Sequence, residues 1–145
     1  MAASVHEQVV AAAHAAIAAA WTGAPTSVSR GRVEPHSPDE LPAINVRRSA
    51  GAHNELGANA DHAYLEFEVD HIEAGTAWET LVDARHMQTH AALMADATLA
   101  TLCRGLRCIR TEVRAESGDK TTGQLTATYQ AQSLVRISDM TKSVR

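Results

Sequence analysis

Apolar and polar positions alternate most regularly along Ala63-Tyr64-Leu65-Glu66-Phe67-Glu68-Val69-Asp70. Leu65, Phe67 and Val69 fall on one side; Tyr64, Glu66, Glu68 and Asp70 fall on the other. A period of two predicts a half-buried strand. Shorter stretches repeat the pattern. Ser27–Val33 reads as a strand. In Ala43–Arg48, Ile44 and Val46 point one way and Asn45 and Arg47 the other. In Leu106–Glu116, Ile109, Thr111 and Val113 alternate with Arg110, Glu112 and Arg114. In Leu125–Ile137, Leu125, Ala127, Tyr129 and Ala131 alternate with Thr and Gln.

Two segments have helical spacing instead. Val5–Trp21 is rich in alanine, the strongest helix former, and Ser4 with Glu7 makes a capping box before it. Thr22–Pro25 stops it. Thr76–Ala95 places Trp78, Leu81, Val82, Ala92 and Leu93 in one wide sector, with Thr76 as its cap. Asp96 then caps a short helix, Ala97–Cys103, which Gly105 ends. Between these elements lie a proline-rich acidic loop (Glu34–Pro42), a flexible polar segment (Ser49–Asn59), a hairpin turn (Ser117–Gly123) and a polar tail from Ser138. The order is helix, three strands, two helices and a hairpin. It predicts an α+β fold: a mostly antiparallel sheet of about four to five strands, with helices packed on one face. No internal repeat or second domain interrupts residues 1–145.

Composition narrows this little. The chain is 45% apolar and 21% charged, as a globular domain should be, but only 3% aromatic. Small aliphatic side chains must therefore fill the core by close packing. The net charge of −4 disfavours nucleic acid as a partner, because a binder must neutralise phosphates. No apolar run approaches the roughly 20 residues that a membrane span needs. The N-terminus lacks the pattern of a signal peptide, which predicts a reducing compartment and free thiols at Cys103 and Cys108. Charge is unevenly distributed. Acids dominate from Glu34 to Asp83, relieved mainly by Arg47 and Arg48, while four arginines recur from Arg104 to Arg114.

Candidate chemistry is sparse. Glu79, Asp83, His86 and His90 share one helix face by spacing. Two histidines four apart beside carboxylates can hold a divalent metal; the plainer reading is a solvated face with Glu–His and Asp–His pairs. The run "HMQTH" lacks the glutamate of a zinc-protease motif. Cys103 and Cys108 are too loosely spaced for a redox or zinc pair. "GAHNELGAN" has two separated glycines and no following helix, so it is no phosphate loop. No nucleophile–base pair stands out, so the expectation is a non-enzymatic chain without a cofactor.

Surface charge is the remaining signal. The side of the sheet away from the helices would carry Asn45, Arg47, Tyr64, Glu66, Glu68, Asp70, Arg110, Glu112 and Arg114. These charges can pair across strands within one subunit, or meet between copies, with Arg110 and Arg114 facing Glu66 and Glu68. A heterologous contact repeated about an axis closes a ring. Arg47, Arg48 and the loop His53, Asn54 and Glu55 are the other candidate contacts.

The ordered segments resemble the tail terminator family of long-tailed bacteriophages, typified by the lambda-like minor tail protein U. The likeness rests on the N-terminal helix ("SVHEQVVAAAHAAIAAA"), the acidic loop and strand ("PDELPAINV") and the acidic strand ("AYLEFEV"). It continues through the Trp-bearing helix ("AWETLVDARHM") and the final hairpin ("GQLTATYQAQ"). The pair "LPAINV" and "YLEFEV" is its most specific part. Where relatives can carry an acid at the start of the central helix, this chain has Glu73, Gly75 and Thr76, so a role tied to that acid does not carry over. The resemblance implies a virion protein assembled in the host cytoplasm. It implies a homo-hexameric ring on the head-proximal end of the tail tube, with the tail tube protein and a head-completion or neck protein as partners. The alternatives are another neck or tail-completion subunit, or a small metal- or ligand-binding domain built on Glu79, Asp83, His86 and His90.

Overall fold

The computed structural model describes residues 2–21, 27–57, 59–118 and 120–143. The predicted helix stop at Thr22–Pro25 lies outside them, as do Ala58, Asp119 and the last two residues of the tail. The described residues form three α-helices and one five-stranded sheet in strand order β1-β2-β3-β5-β4. In chain order these are α1 (Val5–Ala20), β1 (Ser27–Arg30), β2 (Ala43–Glu55), β3 (Ala60–Ala74), α2 (Trp78–Ala95), α3 (Ala97–Leu102), β4 (Gly105–Glu116) and β5 (Thr122–Arg136). Only β1 and β2 run parallel; every other pairing is antiparallel. The fold is α+β, with the helices packed on one face of a mostly antiparallel sheet.

The core follows the alternation in the strands. Leu65, Phe67 and Val69 are buried beside Ile44 and Val46 of β2 and Leu125, Ala127, Tyr129 and Ala131 of β5. α1 adds Val5, Val9, Val10, Ala13 and Ile17 at helical spacing, and α2 adds Val82 and Leu93. Phe67 and Tyr129 stack with centroids 5.4 Å apart, so the few aromatics sit at the centre. The Ser4 hydroxyl accepts the Glu7 amide as expected, but the Glu7 carboxylate pairs with Arg30 instead of completing a capping box. Asp96 caps α3 by accepting the Leu99 amide. The tail is anchored: the Val5 amide donates to the Met140 carbonyl, and Ser143 bridges to Val135.

Four expectations change. The segment from Ser49 to Glu55 is not a flexible loop but the outer half of β2, paired with β3 through a bulge between Arg48 and Gly51. Its polarity reflects an uncovered strand, and Gly51 is small because a Cβ there would sit 3.3 Å from His6 Nδ1. Thr76 does not cap α2; Ala77 occupies that position without a side-chain bond. Leu81 is exposed, not core, because the buried stripe of α2 runs through Val82, His86, Thr89 and Leu93. Gly105 opens β4, while Cys103 closes α3.

Candidate interaction surface

The sheet face away from the helices carries a closed polar network. Asp70 is nearly buried and accepts from Arg47 Nε (3.0 Å), Arg47 Nη2 (3.3 Å), Thr126 Oγ1 (2.7 Å) and Gln124 Nε2 (3.2 Å). Arg47 also pairs with Glu68. Asp70 and Glu68 therefore hold the guanidinium charged and fixed, and push its pKa up. Arg47, expected at or near a contact with another chain, has its charge answered within its own chain, although its side chain stays 41% exposed. Arg48 falls on the helix side and leans toward Glu7 at 3.9 Å.

The loop between β1 and β2 folds over one end of this face. Arg32 donates to Glu40 (2.9 and 3.2 Å) and to the carbonyls of Glu34 and Pro35. Asn45 ties the loop down by accepting the Arg32 amide (3.1 Å) and donating to the Arg32 carbonyl (3.0 Å). With the Ser37 amide also donating to it, the Glu40 carboxyl is held at about 2. Loop and sheet enclose an open groove of about 500 Å³, lined by His36, Arg47, Asp70, Arg114 and Gln124 among others. The His36 Nε2 atom is buried there without a hydrogen-bond partner.

The arginines of β4 are arranged differently. β5 separates β4 from β3, so Arg110 and Arg114 do not face Glu66 and Glu68 within one chain. Arg110 pairs with Glu112 along its own strand at 3.5 Å; Arg114 has no ion-pair partner among the described residues. β4 contains no buried residue, although Thr111 and Val113 pair with the buried Ala127 and Leu125 on the helix side. Val113 is 54% exposed. At the other edge, His53, Asn54 and Glu55 are exposed on β2, beyond the reach of β1, and His53 lies 3.9 Å from Asp61.

Glu79, Asp83, His86 and His90 divide. Glu79 and Asp83 are exposed, while His86 is buried and His90 half-buried against the sheet. The face is thus not the solvated one expected. Among the described residues, no group of three or more His, Cys, Asp or Glu could hold a metal ion. Cys103 is buried and Cys108 half-buried.

Sequence reasoning missed a polar seam between α2 and the sheet. His71 is fully buried, its Nδ1–H donating to the Leu125 carbonyl (3.1 Å). Its other nitrogen lies 2.7 Å from the Thr89 hydroxyl. Burial lowers the His71 pKa to about 4, so the ring is neutral and Thr89 donates to it. The His86 ring stands edge-on to His71, with centroids 5.4 Å apart, and the Tyr129 hydroxyl meets His90 Nδ1 at 2.9 Å. Strand parity was the available signal, since His71 continues the series Leu65, Phe67, Val69.

No helix among the described residues is long and apolar enough to cross a membrane. No protein-family model matches the chain, and no curated protein sequence matches it.

Proposed function

We propose that the protein is a structural subunit of a phage tail. In this reading, copies of it form a ring, six to a turn, that caps the head-proximal end of the tail tube. The ring stops tube growth and offers a joining surface to a head-completion or neck protein. The observation that carries the reading is the one-sided coat of helices. It leaves the opposite sheet face mostly polar, and it leaves the outer part of β4, from Arg110 to Glu116, exposed even on the helix side. The outer half of this edge strand is therefore open to a neighbour on both faces, and open edges are where strands meet other chains. On the opposite sheet face, Asp70, Arg47, Gln124 and Thr126 bond to one another, which favours a rigid contact surface over a reacting centre.

The test is to add the purified protein to a polymerising tail tube protein and measure tube lengths by electron microscopy. Capping arrests growth and decorates one end only. Tubes that elongate unchanged and carry no end density would sink the proposal.

A further inference from the structure

The outer half of β4 carries a charge pattern that is its own complement. β4 ends the sheet, with β5 as its one neighbour among the described strands. Natural edges are kept apart by bulges and by charge. The bulge in β4 lies between Cys108 and Arg110; from Arg110 to the strand end at Glu116 the pairing with β5 is unbroken. Every residue of that stretch is exposed. Its register with β5 puts Arg110, Glu112, Arg114 and Glu116 on the polar sheet face, beside Thr128, Thr126, Gln124 and Thr122. Thr111, Val113 and Ala115 fall on the helix side. The signs on the polar face therefore alternate: plus, minus, plus, minus. Within the chain they are weakly answered. Arg110 and Glu112 pair along the strand at 3.5 Å, with side chains 56% and 72% exposed. Arg114 and Glu116 border the groove beneath the β1–β2 loop, yet neither has an ion-pair partner among the described residues.

We propose that β4 of one copy pairs antiparallel with β4 of a second copy, about a two-fold axis at Val113. That register sets Arg110 opposite Glu116 of the second copy, and Glu112 opposite Arg114 of the second copy. Symmetry repeats both contacts. On the helix side Val113, 54% exposed in the single chain, meets its own counterpart, and Thr111 meets Ala115. Directly opposed residues share a face, so the two sheets join into one with both helix layers on the same side. The register is specific. Sliding the strands by two residues one way sets Glu112 against Glu112 and Arg110 against Arg114. Sliding them the other way sets Arg114 against Arg114 and Glu112 against Glu116. Like charges directly opposite destabilise a strand pair. A larger slide runs into the bulge or loses overlap at the strand end. Backbone groups of the open edge thus supply the attraction, and alternating charge sets the alignment. The contact goes beyond the ring reading. A two-fold contact is complete with two copies. It covers β4 in the free protein, and it must part before that edge can serve a ring.

The experiment uses three variants of the full chain: Arg110→Glu, Glu116→Arg, and the two changes together. Mass is measured by light scattering and native mass spectrometry, and circular dichroism checks each fold. Glu112→Arg and Arg114→Glu give the same test if a variant fails to fold. The wild type should be a concentration-dependent dimer that weakens in high salt. Each single change sets like charges opposite each other at both symmetry-related points, and should raise the dimer Kd on the order of tenfold. The double variant restores opposite signs and should recover the dimer. The two single variants, mixed, should recover it as well, because each charge then meets its opposite across the axis. A wild type that stays monomeric at its highest soluble concentration overturns the inference. So does a folded double variant as weak as the singles, or a single variant that dimerises as the wild type does. Tube capping is scored separately: a dimer that forms this way but caps nothing refutes the tail reading alone. Capping by a chain that never dimerises refutes the β4 pairing alone.

Discussion

His71 should make the protein acid-labile in a calculable way. The ring is fully buried, and its pKa falls from an ordinary 6.5 to about 4, chiefly because burial disfavours the charged form. The unfolded chain therefore takes up the proton first. The contribution is intact above pH 6.5, declines as pH falls, and is fully lost below about 4. The full difference corresponds to about 3 kcal/mol, of which about 2 kcal/mol is already lost at pH 5. Against a domain stability on the order of 10 kcal/mol that is a large fraction. His6 and His86 shift the same way by burial and add to the slope, while Glu73, raised by burial, opposes it. A His71→Gln variant isolates the one ring. Urea midpoints followed by tryptophan fluorescence between pH 7 and pH 4 should show a flatter decline than the wild type, even though the variant is less stable at pH 7. Imidazole signals in NMR should show His71 still neutral at pH 5. Parallel pH slopes in the two proteins, or a His71 titrating near 6.5, would refute the reasoning.

Further substitutions test the packing and the loop. At Gly123 a Cβ would fall 1.9 Å from Cε3 of Trp78, so Gly123→Ala must displace the indole. We expect a loss of about 1–3 kcal/mol and a red-shifted emission; an unchanged midpoint would show that the indole is not seated there. Asp96→Ala removes the α3 cap and should lower stability by about 1 kcal/mol in the same assay. Arg32→Ala leaves the Glu40 carboxylate without its main partner. The Glu40 pKa should then rise from about 2 toward the ordinary carboxylate range, as read by NMR titration, with faster amide exchange at Ser37.

What could be read from the sequence was what depends on neighbours along the chain. Leu65, Phe67 and Val69 revealed their strand because alternation is a local property, and Asp96 announced α3 because a cap lies three residues from its donor. What could not be read depends on which element lies across the gap. Leu81 and Val82 are adjacent and both apolar, yet only Val82 meets the sheet. Ser49–Glu55 has a loop's composition, yet pairing with β3 makes it a strand. His86 carries the same charge pattern on a solvated helix as on a buried one, and only His71 and Tyr129 opposite decide which. Propensity is a weak guide wherever tertiary pairing can override it.

The same distinction reorders the arginines. By position in the sequence, Arg47 and Arg48 are an isolated basic pair in an acidic half and look available to a partner. In the fold, antiparallel pairing sets Arg47 directly opposite Glu68, beside Asp70, so the acids that made it look isolated are the ones that neutralise it. The β4 arginines look like one more alternating strand, but they lie on an exposed edge where Glu112 pairs with Arg110 and Arg114 has no ion-pair partner among the described residues. Reversing Arg47 should therefore destabilise the subunit, because Asp70 would keep a buried charge with its chief cation gone. Reversing Arg110 should leave the subunit folded and weaken association. The two variants separate a structural arginine from an interfacial one in a single comparison of melting temperature and assembled mass. Equal effects on both readouts would dissolve the distinction.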